Sequence, residues 1–286
     1  MKILVFGKTG QVAHELARRC PGNVDAVFLG RDEVDLSTPD NAAQAISHAR
    51  VDAVINAAAW TSVDKAEAEE AAATVVNGDA PGAMARACAD KSIPFLHIST
   101  DYVFDGAGSE PFVPEHATLP LGAYGRSKLA GEKAVQASDA HHLILRTSWV
   151  VSPHGANFIK TMLRLGHERD SLRVVADQFG GPTPAASIAD ALYTAARIML
   201  DGHVGGTHHF AGAPDTSWAN FAREIMVGAS LPCQIEDIPT SAFPTPAKRP
   251  MNSRLDCSSF NEVFGVARPE WRAGLRDILN ELGEIK

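Results

Sequence analysis

Cysteine is scarce and unpatterned in this chain of 286 residues: Cys20, Cys88, Cys233 and Cys257 show no Cys-x-x-Cys spacing. That excludes a disulfide framework and reads as scattered reduced thiols in a cytoplasmic protein. No apolar run approaches the length of a membrane span, and the four apolar residues between Lys2 and Gly7 are too few for a signal peptide. Basic charge is short as well. Lys and Arg total 26 against 34 for Asp and Glu, a net charge of −8. This argues against a nucleic-acid or anionic-membrane surface and leaves room for a local basic pocket. Ser99 and Ser148 lack a Gly-x-Ser-x-Gly elbow, so nothing supports nucleophilic hydrolysis. His141-His142 and His208-His209 have no carboxylate or cysteine partners at ligand spacing, and strand neighbours point to opposite faces, so they read as structural histidines with no metal. Repeats, low-complexity tracts and a clean interdomain linker are also missing. What remains, 45% hydrophobic and 21% charged residues, is enough for one large domain or a domain with a smaller lobe.

Short continuous apolar runs recur along the first half. Ile3–Phe6, Val24–Leu29, Val51–Ile55, Pro94–Ile98 and Leu143–Thr147 read as strands buried on both faces, with helical patterns between them. Alternating strands and helices imply right-handed crossovers and a parallel sheet with its ligand at the carboxyl edge. The first strand ends in Gly7-Lys8-Thr9-Gly10-Gln11-Val12-Ala13 and a helix follows. In that context Gly7 permits a tight turn, Gly10 admits a pyrophosphate to the helix N-terminus, and Ala13 is small enough for helix–sheet packing; the alternative is a turn with no ligand. The second strand ends in Leu29-Gly30-Arg31 instead of an acidic residue. Arg31 suits a 2′-phosphate and so favours NADPH; a solvated Arg31, with Asp32 or Asp35 on the ribose and NADH as cofactor, is the other reading. Ser37-Thr38-Pro39-Asp40 predicts a hydroxyl-capped helix start. After the third strand, Asn56-Ala57-Ala58-Ala59-Trp60 offers small side chains against which a flat ligand or the next helix can lie. Val63–Glu70 reads as an exposed helical turn and Ala71–Asp90 as one long helix.

The richest stretch is Ser99–Lys133. It leaves the fourth strand with Thr100 and Asp101, passes Pro111, Pro114 and Pro120, and re-enters order at Tyr124-Gly125-Arg126-Ser127-Lys128. Four residues apart, Tyr124 and Lys128 share a helix face. A tyrosine titrates near pH 10, and an ammonium about 5–6 Å away favours the phenolate and makes a usable acid. With the Thr100 hydroxyl beside it, the set reads as a site that protonates an oxygen while hydride reaches its carbon.

Beyond Thr147 the pattern loosens. Helices are expected at Asn157–His167, Ser187–Leu200 and from a Ser217 cap to Met226, and strands at Arg173–Ala176 and His208–Ala211. Leu231–Arg254 reads as a proline-rich loop whose Lys248, Arg249 and Arg254 either hold a diphosphate or remain solvated.

Seven segments, GKTGQVA (7–13), NAAAWTSVDKAE (56–67), STDYVFDG (99–106), YGRSKLAGE (124–132), LRTSWV (145–150), DQFGGPT (177–183) and RPMNSRLD (249–256), together resemble the dTDP-4-dehydrorhamnose reductases, which are extended short-chain dehydrogenases/reductases. The resemblance implies a modified Rossmann fold, a doubly wound parallel sheet with a smaller C-terminal α/β substrate lobe. The cofactor domain would span residues 1–150, with strands from about 170–220 interleaved, and the lobe mainly 151–286. It implies reduction of the 4-keto group of dTDP-4-dehydro-β-L-rhamnose with NADPH or NADH to give dTDP-L-rhamnose, in the cytoplasm, with a homodimer left open. Carried over by position, Tyr124 is the proton donor, Lys128 its pKa-lowering and ribose-binding partner, and Thr100 the third catalytic residue. Gly7, Gly10, Gln11 and Val12 cradle the pyrophosphate, with Arg31, Asp35, Leu36 and Ala57, Ala58 and Ala59 around the rest of the cofactor. Val63, Asp101 and Trp149 meet the sugar; Gln178, Arg249 and Arg254 face the diphosphate. Related dehydratases carry an acid where this chain has Tyr102, which disfavours elimination. Trp60 stands where relatives often have histidine. Some relatives share Mg²⁺ across a dimer; Glu15 survives here, but Ala186 replaces the matching acid, so no bridging metal is expected. Two further readings stay open: another nucleotide-sugar reductase or an epimerase with retained NAD, and a non-catalytic NADP-binding regulatory subunit of methionine adenosyltransferase.

Overall fold

A computed structural model describes residues 1–285. The apolar runs become β1 (Lys2–Phe6), β2 (Asp25–Leu29), β3 (Ala53–Asn56), β4 (Phe95–Thr100) and β5 (His142–Thr147), joined by a late strand at Gly206–His209. They form one six-stranded sheet in the order Gly206–His209, β5, β4, β3, β1, β2, parallel throughout. The connecting helices are α1 (Gln11–Arg18), α2 (Pro39–His48), α3 (Val63–Ala68), α4 (Glu70–Thr74), α5 (Ala80–Asp90) and α6 (Ala123–Gln136). Residues of β1, β3, β4 and β5 alternate between two cores, which is why their runs are mostly apolar. In contrast β2, at the sheet edge, is only partly buried and departs from the expectation of burial on both faces. Ile3, Val5, Ile55, Leu96 and Leu145 pack with Leu16 of α1 and Ile188 and Leu192 of the helix Ala185–Leu200. Leu4, Phe6, Val54, Phe95 and Ile144 pack with Ile46 of α2 and Met84 of α5. Parallel pairing puts all the carboxyl ends on one edge, where Phe6 aligns with Asn56 and Thr100 with Thr147.

Two local expectations change. The Thr38 hydroxyl at the start of α2 caps nothing; instead the Asp35 carboxylate accepts from the Ser37 N–H at 2.9 Å. The long helix over Ala71–Asp90 is also broken: α4 and α5 flank a π-helical turn, Val75–Asp79. Pro81 supplies the reason, since it has no N–H to give the Asn77 carbonyl four residues earlier. That carbonyl faces α6, where a Cβ on Gly131 would fall inside its van der Waals radius; Gly125 stands in the same relation to the Tyr102 carbonyl. The glycines therefore let α6 lie directly on the π turn and on the 3₁₀ turn Asp101–Val103 that follows β4.

The second lobe has its own core, in which Ile159, Leu163, Phe221, Ile225, Trp271 and Leu279 come from the helices Phe158–Glu168, Trp218–Gly228 and Trp271–Glu281. Ser217 caps the second of these by accepting from the Asn220 N–H at 3.2 Å. Of the two late strands expected, the one observed at Gly206–His209 completes the main sheet, whereas Ser171–Val175 pairs in parallel with Gln234–Ile238 outside it. The latter strand lies inside the stretch expected to be loop; its Gln-Ile-Glu-Asp-Ile composition is mostly exposed and carries no buried-strand signal. No described helix is long and apolar enough to cross a membrane.

The contact at Gly131 gives a direct test of how tightly α6 is seated. Gly131→Ala should lower stability by about 1–3 kcal/mol through overpacking, despite alanine's higher helix propensity. A urea unfolding midpoint at or above that of the parent would show that the π turn yields.

Candidate active site

The glycine turn is built by backbone proximity. Gly7 has φ +120°, its N–H donates to the Leu29 carbonyl at 2.8 Å, and a Cβ there would stand 3.3 Å from the Ala57 carbonyl carbon. Turn and β3 exit thus touch through backbone, as a closely approached ligand site requires. Gly10 precedes α1 and provides no side-chain cap, and the first turn holds no acidic residue, so its N–H groups suit an anion. Gln11 and Val12 can serve only through their backbone. The Gln11 amide is engaged by the Val150 carbonyl, Ser152 and Asn157 at 3.2, 2.9 and 2.9 Å, and Val12 is buried in the core. The Arg31 side chain is 86% exposed, 3.5 Å from Asp35, and free to swing. Asp35 is held below the usual carboxylate range by the Ser37 N–H and hydroxyl, with Arg31 a smaller contributor. Leu36 is a buried apolar wall beside Leu4 and Phe6, and Ala57, Ala58 and Ala59 are half-buried. These residues fit a nicotinamide dinucleotide, and Arg31 fits its 2′-phosphate form.

Tyr124 sits in the first turn of α6 and Thr100 at the end of β4, close enough for the Thr100 hydroxyl to act on the phenol. Here an expectation fails. Burial pushes the Tyr124 phenol above its usual value, opposed only by Thr100, and no charge on Lys128 acts on it. The reason is where the lysine goes. Lys128 is 2% exposed and its Nζ donates to the Ile98 carbonyl at 2.7 Å, with His97 Nε2 at 3.2 Å. Burial brings its pKa down to about 8, with Glu132 opposing.

Asp101 lies under the same pair, accepting from the Thr100 hydroxyl at 3.1 Å, while its Oδ2 is buried with no hydrogen-bond partner among the described residues. Burial lifts its pKa to about 6, eased by Ser253 and Thr100. Tyr102 meets Tyr124 edge-on at 5.5 Å, and burial pushes its phenol up to about 12. The Arg249 charge works against that rise and pairs with Asp64 at 2.7 Å; the Arg249 Nη1 is buried and has no partner among the described residues. Val63 begins α3 next to Asp64. Trp149 holds a left-handed backbone, φ +48°, and its ring stacks on Trp218 at 3.5 Å. Gly180 fits between Trp149 and Ser253, for a Cβ there would come within 2.9 and 3.0 Å of them.

Gln178 and Arg254 are less free than expected. Gln178 donates to the Thr240 hydroxyl at 3.1 Å, and Thr240 is itself held by Asp177. Arg254 lies 4.5 Å over the Phe179 ring and donates to Asn252 Oδ1 at 3.1 Å. The structure therefore brings together Thr100, Asp101, Tyr124 and Arg249, with Trp149 beside them through Gly180 and Ser253; it ties Gln178 and Arg254 to neighbouring loops.

Several supporting residues went unseen in the sequence. Asn77, buried in the π turn, accepts from the Trp60 N–H at 2.8 Å and donates to the Trp60 carbonyl and Ser127 at 3.0 Å each, fixing the segment after β3 against α6. Glu132 and Arg146 form a buried bidentate pair behind Lys128. His97 and Asn56 are fully enclosed. The only signal for these was a polar residue within an apolar run or helix face. Glu15 is taken by His154 at 3.0 Å and Arg18 at 3.5 Å.

The chain matches the family described as RmlD substrate binding domain over residues 1–284. A protein of Burkholderia thailandensis named dTDP-4-dehydrorhamnose reductase is 47% identical, covering 98% of this chain and all of that one. The Escherichia coli K12 protein of the same name is 43% identical over 99% of this chain and 98% of its own. The crystal structure of the Bacillus anthracis dTDP-4-dehydrorhamnose reductase in complex with NADP superposes with a TM-score of 0.91 at 31% identity, covering 98% and 99% of the two chains.

Asp101 carries a stability cost with a definite sign. Its folded pKa is raised above the usual 3.8, so the unfolded chain loses this proton first and stability falls as pH rises from about 4 to about 6. Asp101→Asn should therefore be the more stable protein at pH 7.5, by up to about 3 kcal/mol, with the gap closing by pH 4. Urea unfolding at the two pH values reads it; a gap independent of pH would mean the carboxyl is not strained.

Proposed function

The chain belongs to the RmlD substrate binding domain family, and from that premise we propose that it is an NAD(P)H-dependent reductase that converts dTDP-4-dehydro-β-L-rhamnose to dTDP-L-rhamnose. The observation that carries the reading is the meeting of Tyr124 and Thr100 at the carboxyl edge of the parallel sheet, with Lys128 one turn on. Reduction of the 4-keto group adds hydride to carbon and a proton to oxygen. Bound NADPH supplies the hydride.

The chain's own residues do the rest. Tyr124, kept protonated by burial, gives its proton to the carbonyl oxygen, and Thr100 turns its hydroxyl hydrogen from Asp101 to the same oxygen. Lys128 holds the nicotinamide ribose. Gly7, Gly10, Gln11 and Val12 receive the pyrophosphate through their backbone, and Arg31 swings from Asp35 to the 2′-phosphate. Val63, Asp101 and Trp149 enclose the sugar. The unpartnered Arg249 Nη1 suits a diphosphate oxygen, with Gln178 and Arg254 reaching it once released from Thr240 and Asn252. The cytoplasm, where reduced cofactor is regenerated, is the proposed location. An epimerase or a regulatory subunit is not favoured, because curated relatives of the same length are named reductases.

Two measurements test the proposal, both following oxidation of NADPH and of NADH with dTDP-4-dehydro-β-L-rhamnose and its UDP analogue. Tyr124→Phe should cut kcat by about 10²–10⁴-fold with NADP⁺ affinity nearly kept, and unchanged turnover would remove the phenol from the chemistry. Arg31→Ala should raise KM for NADPH about tenfold or more and leave NADH unaffected. Equal effects on both cofactors would reject a 2′-phosphate contact.

A further inference from the structure

Lys128 is the end of a hydrogen-bonded chain of buried groups that the reduction chemistry leaves unused. The Ala58 N–H donates to Asn56 Oδ1 at 3.1 Å, Asn56 Nδ2 lies 3.1 Å from His97 Nδ1, and His97 Nε2 lies 3.2 Å from Lys128 Nζ. Asn56 and His97 are register partners on β3 and β4, so the sheet itself aligns them. Asn56 is 1% exposed and His97 fully buried, leaving neither a partner in bulk water.

The direction of this chain follows from donor and acceptor counting. A backbone N–H can only donate, so Asn56 turns its oxygen to Ala58 and its NH₂ to His97. His97 Nδ1 must then accept, and a neutral imidazole that accepts at Nδ1 carries its hydrogen on Nε2. That hydrogen points at Lys128 Nζ, where it needs a lone pair, which an amine has and an ammonium lacks. In the opposite arrangement the ammonium donates to Nε2, Asn56 turns over, and its NH₂ faces the Ala58 N–H, leaving a donor orphaned.

We propose that His97, oriented by Asn56, is a positioning residue for Lys128, donating from Nε2 to the lysine nitrogen, fixing where its own hydrogens point and favouring amine over ammonium. The proposal rests on the reading of Lys128 as part of the reductase site. It makes the charge on Lys128 conditional on what lies above it. Burial acts in the same sense on both groups: it holds His97 well below its usual value and brings Lys128 to about 8. The elements packed against α6 carry Asp64, Lys65, Glu67, Glu70, Asp79, Arg86, Cys88, Asp90, Asp101, Tyr102, His142 and Arg146, and α6 itself Tyr124, Arg126, Glu132 and Lys133. Of these, Glu132 alone acts appreciably on the lysine by charge, and it favours the ammonium. His97 therefore works against Glu132.

The test is an NMR titration of the full-length protein carrying isotope-labelled lysine, with Lys128→Met used to assign the signal. His97→Leu should raise the Lys128 midpoint by about one pH unit, a tenfold gain in proton affinity. His97→Gln, whose amide nitrogen reaches the place of Nε2 and can donate, should hold the parent midpoint. Should His97→Leu fail to fold, His97→Asn removes the same donor with a smaller polar side chain and must give the same rise. A midpoint that stays or falls in the folded donor-less variant, or moves equally in His97→Gln, overturns the proposal. Turnover of the parent protein is measured alongside: its absence would reject the reductase reading, while the titration still decides the role of His97.

Discussion

Glu132 of α6 and Arg146 of β5 meet through two parallel hydrogen bonds of 2.9 and 2.7 Å, with side chains only 1% and 4% exposed. Two charges so buried cost several kcal/mol each in lost hydration, and further hydrogen bonds offset that cost. Ser99 donates to Glu132 at 2.5 Å, Arg146 donates to the Pro114 carbonyl at 3.0 Å, and the Phe104 ring covers the guanidinium at 5.0 Å. Four separate parts of the chain are thereby held at one point: α6, β4, β5 and the loop between Val103 and Ala123. Tyr124 and Lys128 ride on that helix, and Thr100 follows Ser99 on that strand. Loss of either partner would leave a bare charge in the core, at about 3–5 kcal/mol.

Around this anchor the cleft is assembled by close backbone approach. Gly125 and Gly131 lower α6 onto two carbonyls, and Gly7 admits the β3 exit. Asn77 then locks the Trp60 segment to Ser127 of α6. The proposed cofactor face and the proposed proton donor are thus fixed relative to each other by contacts that contain no catalytic group. The substrate side is different in kind. Arg249, Gln178 and Arg254 are held by polar partners, Asp64, Thr240 and Asn252, each of which a ligand of stronger charge can replace.

Much of this was legible in the sequence, and for identifiable reasons. Burial on both faces writes β1, β3, β4 and β5 as mostly apolar runs, and the glycine turn and the Tyr124–Lys128 spacing are local patterns. What stayed hidden depended on distant partners. Gln234–Ile238 is a strand because Ser171–Val175 offers an edge, not because its own residues demand one. The π turn needed Pro81 read against a carbonyl four residues back. The Lys128 amine was expected to serve Tyr124, and spacing alone could not reveal that Ile98 and His97 claim it from the neighbouring strand.

The main sheet is completed by Gly206–His209, which reaches β5 only after the chain has laid down the helix Phe158–Glu168 and the strand Ser171–Val175 of the other lobe. On the ribosome, the outer rim of β5 therefore waits with unpaired amides and carbonyls through the synthesis of some sixty residues from Thr147 to His209. A bare parallel rim of Leu143, Ile144 and Leu145 is the kind of surface on which nascent chains stick to one another. A cut after Thr147 would thus leave β5 as a bare sheet edge, because the strand that covers it comes only after part of the other lobe.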